Sequence, residues 1–132
     1  MNLLDELKAK NYAIIASNGY CSYENGIKSV INKLNEDIYY FKGLKVADKI
    51  IGKASAMLLC LSQVKEVYCV VLSLGGKEIL EKHNVNYHYD ELVENIINRR
   101  GDDICPMEKT VKDVDDLYQA YELLNEKVKN IG

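Results

Sequence analysis

Three short segments of this chain bring together side chains that could do chemistry. The first is Ala47 to Leu61, A-D-K-I-I-G-K-A-S-A-M-L-L-C-L, an apolar stretch carrying Asp48, Lys49 and Lys53 in its first half. The second is Asn98-Arg99-Arg100-Gly101, and the third is Cys105-Pro106-Met107-Glu108. An unpaired ammonium in apolar surroundings is costly, so such charges need partners. The expectation is one pocket in which Lys49 and Lys53 meet Asn98, Arg99, Cys105 and Glu108. There Cys105 is a nucleophile if Arg99, Arg100, Lys49 or Lys53 lowers its pKa. Glu108 serves as acid, base or ion-pair partner, and the lysines favour an anion. A plainer alternative stays open at each position: the lysines reach solvent past a helix edge, Cys105 is packed, and Glu108 caps a backbone amide in a rigid loop stop.

The spacing in the first segment predicts a helix from about Ala47 to Ser62, apolar nearly all round and buried on several sides. On it Ala47, Ile50, Ile51, Ala54, Leu58 and Leu61 form one stripe, and Lys49, Lys53 and Ala56 another. Gly52 removes a side chain beside them, so that backbone or ligand can come close.

Metal chemistry finds little support. None of the four cysteines forms a C-x-x-C pair, and Cys60 and Cys69 read as small core hydrophobes. His83 and His88 lack a nearby third ligand and read as solvated surface residues. No metal or cofactor is expected. Gly75-Gly76 lacks the G-x-G-x-x-G and Walker patterns and reads as a plain turn.

The elements that must position these residues fit one domain over 1–132, since 132 residues with 48% apolar content build one core. The balance of 17 basic against 20 acidic residues, net −3, argues against nucleic acid as the main partner. No apolar run approaches the roughly 18 residues of a membrane span, and the first ten residues lack signal-peptide form. A cytoplasmic protein is expected, and a homo-oligomer is compatible with the sequence.

A short amphipathic helix, Leu3 to Lys10, leads into Tyr12–Ser17 and Tyr20–Tyr23, joined by Asn18-Gly19 as a type I′ hairpin. Helical spacing follows from Ile27 to Leu34, then an extended piece from Ile38 to Phe41. Val67 to Leu72 is an apolar, β-branched run of the kind covered on both faces, and should be central. Ser73 caps a helix over about Gly76 to Lys82, Asn86 to Tyr89 is a last strand, and Asp90 caps a helix through Ile97. A final helix spans about Asp113 to Lys129, with Val114, Leu117, Tyr121, Leu124 and Val128 on one stripe. The order implies a three-layer α/β/α domain with a mixed sheet opening with an antiparallel hairpin.

The D-K-I-I-G-K-A-S-A, N-R-R-G and C-P-M-E segments, in this order, resemble the signature of the domain-of-unknown-function 1893 family of bacterial and archaeal proteins. The resemblance covers most of the chain and implies a cytidine-deaminase-like fold. It places Asp48, Lys49, Gly52, Lys53, Asn98, Arg99, Cys105 and Glu108 at the family's motif positions. Zinc deaminases carry H-x-E or C-x-E on the buried helix and P-C-x-x-C on a later one. Here Lys53-Ala54-Ser55 stands in the first place, and no second cysteine follows Cys105-Pro106.

Two function classes follow. One is a metal-independent enzyme acting on a small anionic or nucleotide-like molecule through Lys53, Cys105 and Glu108, with Asp48, Lys49, Gly52, Asn98 and Arg99 binding the ligand. The other is a non-catalytic ligand-binding or regulatory domain.

Overall fold

The computed structural model describes residues 2–24, 27–98 and 100–131. Helix α1, Leu3–Lys10, starts where the Asn2 side chain accepts the N–H of Asp5 at 2.8 Å and ends at Asn11 in the left-handed region. Strands β1 (Ile14–Ala16) and β2 (Cys21–Ser22) pair antiparallel. Their connection is a type I turn followed by Gly19 at φ +97° rather than a type I′ turn, because Asn18 keeps a negative φ and its side chain accepts the N–H of Tyr20.

Helix α2, Lys28–Glu36, precedes a run of turns, so the extended piece expected from Ile38 to Phe41 is absent. Phe41 nevertheless reaches the core, and its N–H donates to Ser62 Oγ at 2.8 Å.

The segment expected as a single helix from Ala47 is two elements. Strand β3, Lys45–Ile51, runs into Gly52, and helix α3 spans Lys53–Leu61. The apolar run contains β-branched Val46, Ile50 and Ile51 and gains a full parallel partner in β4, Glu66–Ser73, which decides the first half as strand. Lys49 and Lys53 therefore share no helical face. Helix α4, Leu74–Lys82, starts at Ser73, whose hydroxyl accepts the N–H of Gly76 at 3.0 Å. Gly75 and Gly76 thus lie in a first helical turn and not in a plain turn.

Strand β5, Asn86–Val93, pairs parallel with β4 along its length, which overturns the helix expected from Asp90. Asp90 and Glu91 sit on an exposed edge strand, where charge guards against stray pairing. A loop closed by an Ile97–Ile104 bridge leads to helix α5, Pro106–Val111. Helix α6 is Leu117–Ile131, so Asp113 and Asp115 precede it, and Asp116 accepts the N–H of Gln119.

The sheet order is β2-β1-β3-β4-β5, with β1 antiparallel to both neighbours and β3, β4 and β5 parallel. β3 is the middle strand and β4 is internal. Side chains alternate across β1: Ile15 packs with Leu7 of α1 and Ala47, while Ile14 and Ala16 join the main core with α2, α3, α4 and α6. That alternation makes three layers. Among the described residues, no helix is long and apolar enough to cross a membrane.

Candidate functional site

The carboxyl ends of β3, β4 and β5 open toward the starts of α3 and α4, the place where open parallel sheets carry ligand crevices. The N-cap of α3 is Gly52, with extended backbone and no side chain to offer. Glu108 of α5 takes over that function: its Oε1 accepts the N–H of Lys53 and its Oε2 the N–H of Ala54, each at 2.8 Å. The capping alternative for Glu108 is the one realised, on a distant helix rather than its own loop. Burial pushes the Glu108 pKa up, against the downward pull of the two amides and the Lys53 charge.

The packing here depends on glycine. A Cβ on Gly76 would lie 3.0 Å from the carbonyl oxygen of Ile51, so α4 meets the β3–α3 junction backbone to backbone. A Cβ on Gly75 would lie 3.3 Å from that of Lys53.

Between these helix starts and α5 lies a cleft of about 170 Å³. Lys53, Lys109 and Lys112 bring positive charge to it, and Glu94 and Glu108 negative charge. Ser73, Gly75, Asn95 and Ile104 complete its wall. Lys109 is tied to Asp103, and the Lys53 ammonium donates to the backbone carbonyl of Lys112 at 3.0 Å. A wider, shallower groove of about 460 Å³ runs along α6 past Tyr118, Tyr121 and Lys129, and none of the motif residues lines it.

Of the residues expected to share a pocket, Lys53 and Glu108 line the cleft and Gly52 abuts Glu108. Lys49 points the other way, donating to Asn11 Oδ1 at 2.8 Å at the end of α1, because it lies on the opposite face of β3. Asp48 pairs across the sheet with Ile14 and Cys69, and its Oδ1 accepts the N–H of Ile50 at 3.1 Å. Burial pushes its pKa up to about 7.

Asn98 organises its own loop, its Oδ1 accepting the N–H groups of Gly101 and Asp102 and its amide donating to Asp102. Arg99 lies outside the described residues, and Arg100 is exposed. Cys105 caps α5, half-buried, its N–H donating to the carbonyl of Ile96 at 2.9 Å, and it does not line the cleft.

Cys60 and Cys69 are buried, as the core reading expects, and burial pushes each thiol up to about 12. His88 is not simply solvated: it stacks on Tyr68 and hydrogen-bonds Glu66 at 2.9 Å. Among the described residues, no three His, Cys, Asp or Glu groups are placed to hold a metal ion.

Sequence reasoning missed Glu94, Asn95, Lys109 and Lys112, which carry no motif signal of their own. Ser73 and Gly75 were visible as a cap and a turn without their place at the cleft.

Residues 2–128 match the model of a family described as a domain of unknown function, DUF1893. Among solved structures, the chain is similar to a crystal structure of a DUF1893 family protein from Thermotoga maritima, with TM-score 0.85 and 25% identity over 94% of this chain and 86% of that one. No curated protein matches.

Proposed function

We propose that this chain, which belongs to the DUF1893 family, is a binding domain for a small anionic or nucleotide-like molecule held in the cleft at the carboxyl edge of β3, β4 and β5. One observation carries the reading. Lys53 and Lys112 both face the cleft, and among the described residues neither forms an ion pair; the Lys53 ammonium has only a neutral carbonyl. The Lys53 and Lys112 charges and the start of α4 favour an anion there, against the Glu94 and Glu108 carboxylates on the same wall.

The same proposal takes the fold as a zinc-free counterpart of the cytidine deaminase arrangement. The neighbouring starts of α3 and α4 support this, with Lys53-Ala54-Ser55 on one and Gly75-Gly76 on the other, offering none of the His or Cys ligands that zinc requires. A cytoplasmic setting belongs to it as well, supported by four free cysteines.

A metal-independent enzyme is the second reading, favoured by a buried carboxyl with a raised pKa at the cleft wall. Because both Glu108 oxygens are held by amides, proton transfer there requires release of the α3 cap.

A thermal-shift screen over nucleosides, nucleotides, phosphorylated metabolites and small carboxylates tests the binding reading. At least one class should raise the melting temperature of the native chain by several degrees and leave Lys53→Met unmoved. No shift with any class, or an equal shift in Lys53→Met, overturns it.

A further inference from the structure

The geometry points to the free edge of β5 as the seam of a two-fold dimer, in which two copies of this chain pair their β5 strands antiparallel about Tyr89 and join their sheets into one. β5 ends the sheet, and among the described residues no strand pairs with its outer side. Asn86, His88, Tyr89, Asp90 and Glu91 are exposed along it. Sheet edges are ordinarily kept very short or covered, and β5 runs for 8 residues. At the opposite edge β2 is 2 residues long and offers nothing comparable, so pairing through β5 closes at two copies.

The backbone is set for such a partner. The His88 carbonyl accepts from Cys69 Sγ at 3.5 Å and so points toward β4. Peptide groups alternate sides along a strand, which turns the N–H and C=O of Tyr87, Tyr89 and Glu91 outward. Those are the groups an antiparallel neighbour bonds: Tyr89 with Tyr89 of the second copy, and Tyr87 with its Glu91.

The side chains select the register. A two-fold axis perpendicular to the sheet sets each residue opposite one of the same face, so one residue must meet itself. Centred on Asp90 or Glu91, the ladder sets a carboxylate against its own copy, which is destabilising. Centred on His88, or nearer either end, the ladder is shorter. Centred on Tyr89 it pairs Asn86 with Leu92, Tyr87 with Glu91 and His88 with Asp90. The charges that guard this edge against stray pairing thus admit a second copy in one register.

Charge complementarity then runs across the seam. On the α1 side, Lys45 and His88 both reach Glu66, at 3.8 and 2.9 Å, and Lys8 reaches Asp90 at 2.6 Å. The His88 and Asp90 side chains are still 53% and 45% exposed, so each has room for a second partner. In the dimer the row reads Lys45, Glu66, His88, then Asp90 and Lys8 of the second copy, with the His88 imidazole between two carboxylates. The two-fold axis repeats that row. On the other face Tyr87 and Tyr89 stack with centroids 6.3 Å apart, and Tyr89 is 40% exposed. The two stacked pairs meet at the axis, where aromatic cross-strand contact is favourable.

The test combines sedimentation equilibrium with NMR on the full chain. The native chain should be dimeric at about 100 μM. In a mixed-labelled sample, His88 Hα should show an intermolecular NOE to Asp90 Hα, because these two form a pair without mutual hydrogen bonds, in which the backbones approach most closely. Tyr89→Lys sets two ammonium groups against each other at the axis and should weaken the dimer at least about tenfold, with an unchanged urea midpoint for the monomer. Asp90→Asn removes the charge opposite His88 twice over and should weaken it by about threefold to tenfold.

A monomer at about 100 μM overturns the proposal and leaves the edge to an extended segment of a different protein. A dimer without the His88–Asp90 contact pairs through another surface or register, which overturns it equally. Native dimer affinity in both variants does the same.

Discussion

Glu108 occupies the space that any side chain at position 52 would need: a Cβ on Gly52 would lie 2.3 Å from Glu108 Oε1 and 2.6 Å from its Cδ. The glycine of the first motif and the glutamate of the last are thus two halves of one cap on α3. Gly52→Ala should destabilise the fold by about 1–3 kcal/mol, because the carboxylate must leave its amides or the backbone must move. Glu108→Ala should cost about 2 kcal/mol, since it strands two first-turn amides. Urea unfolding of both single variants and the double checks the coupling. The double variant should cost about 1 kcal/mol less than the sum, because once the carboxylate is gone a methyl at position 52 has less to displace. Additive losses would separate the two residues.

What was legible in the sequence followed local chemistry. Helix α1 has its amphipathic spacing within eight residues and its cap just before them, the hairpin has Asn18-Gly19, and β4 is apolar from Val67 to Leu72 because both faces are covered. The failure at β3 was physical. Ala47, Ile50, Ile51, Ala54 and Leu58 satisfy a helical template across Gly52, and only the parallel pairing with β4 separates strand from helix.

Inside β3 the alternation is also broken. Val46 and Ile51 both enter the main core although they lie at an odd spacing, and between them the Asp48 carboxylate takes the Ile50 N–H. In β5 the strand was legible from Asn86 to Tyr89, whereas the charged Asp90-Glu91 of an exposed edge hid its second half. The cleft was half visible: Lys53 and Glu108 sit in motifs, whereas Glu94, Asn95 and Lys112 arrive through tertiary contact alone.

Asp48 gives the chain a pH-dependent weakness. Its pKa is raised by burial from 3.8 to about 7, so the folded chain holds this proton more tightly than the unfolded chain does. The Asp48 contribution to stability is therefore lost as pH rises through that window and levels off above about 7. Asp48→Asn keeps an oxygen for the Ile50 N–H and removes the charge. The variant should gain on the native chain progressively between pH 4 and pH 7 in urea midpoints, with the largest advantage at pH 8. An advantage that does not change with pH would show that Asp48 carries no raised pKa.

Ser62 and Phe41 fix the turn between α2 and β3 to the end of α3. Both residues are fully buried, and the Phe41 N–H donates to Ser62 Oγ. Ser62→Ala leaves that amide without a partner in the core and should cost about 1–3 kcal/mol. Ser62→Thr, which keeps the hydroxyl but adds a methyl in a packed site, should cost through crowding instead and retain slow hydrogen exchange at the Phe41 amide. Exchange of that amide is the discriminating measurement: fast in the alanine variant, protected in the threonine one.

Lys53 separates a structural charge from a functional one. Its backbone N–H holds Glu108, but its ammonium donates to the Lys112 carbonyl, so the side chain acts on the cap through its charge alone and forms no hydrogen bond to it. Removing one member of a buried ion pair typically costs about 3–5 kcal/mol, whereas a hydrogen bond to a neutral carbonyl contributes about 1 kcal/mol. Two opposing effects then act in Lys53→Met: the hydrogen bond is lost, and repulsion from Lys109 and Lys112, which line the same cleft, is relieved. The methionine also retains most of the alkyl stem beside Gly75. The variant should therefore unfold within about 1 kcal/mol of the native chain while the stabilisation conferred by an anionic ligand disappears. A loss near 3 kcal/mol without ligand would show that the Lys53 charge, and not the amide pair alone, holds the Glu108 carboxylate at the start of α3.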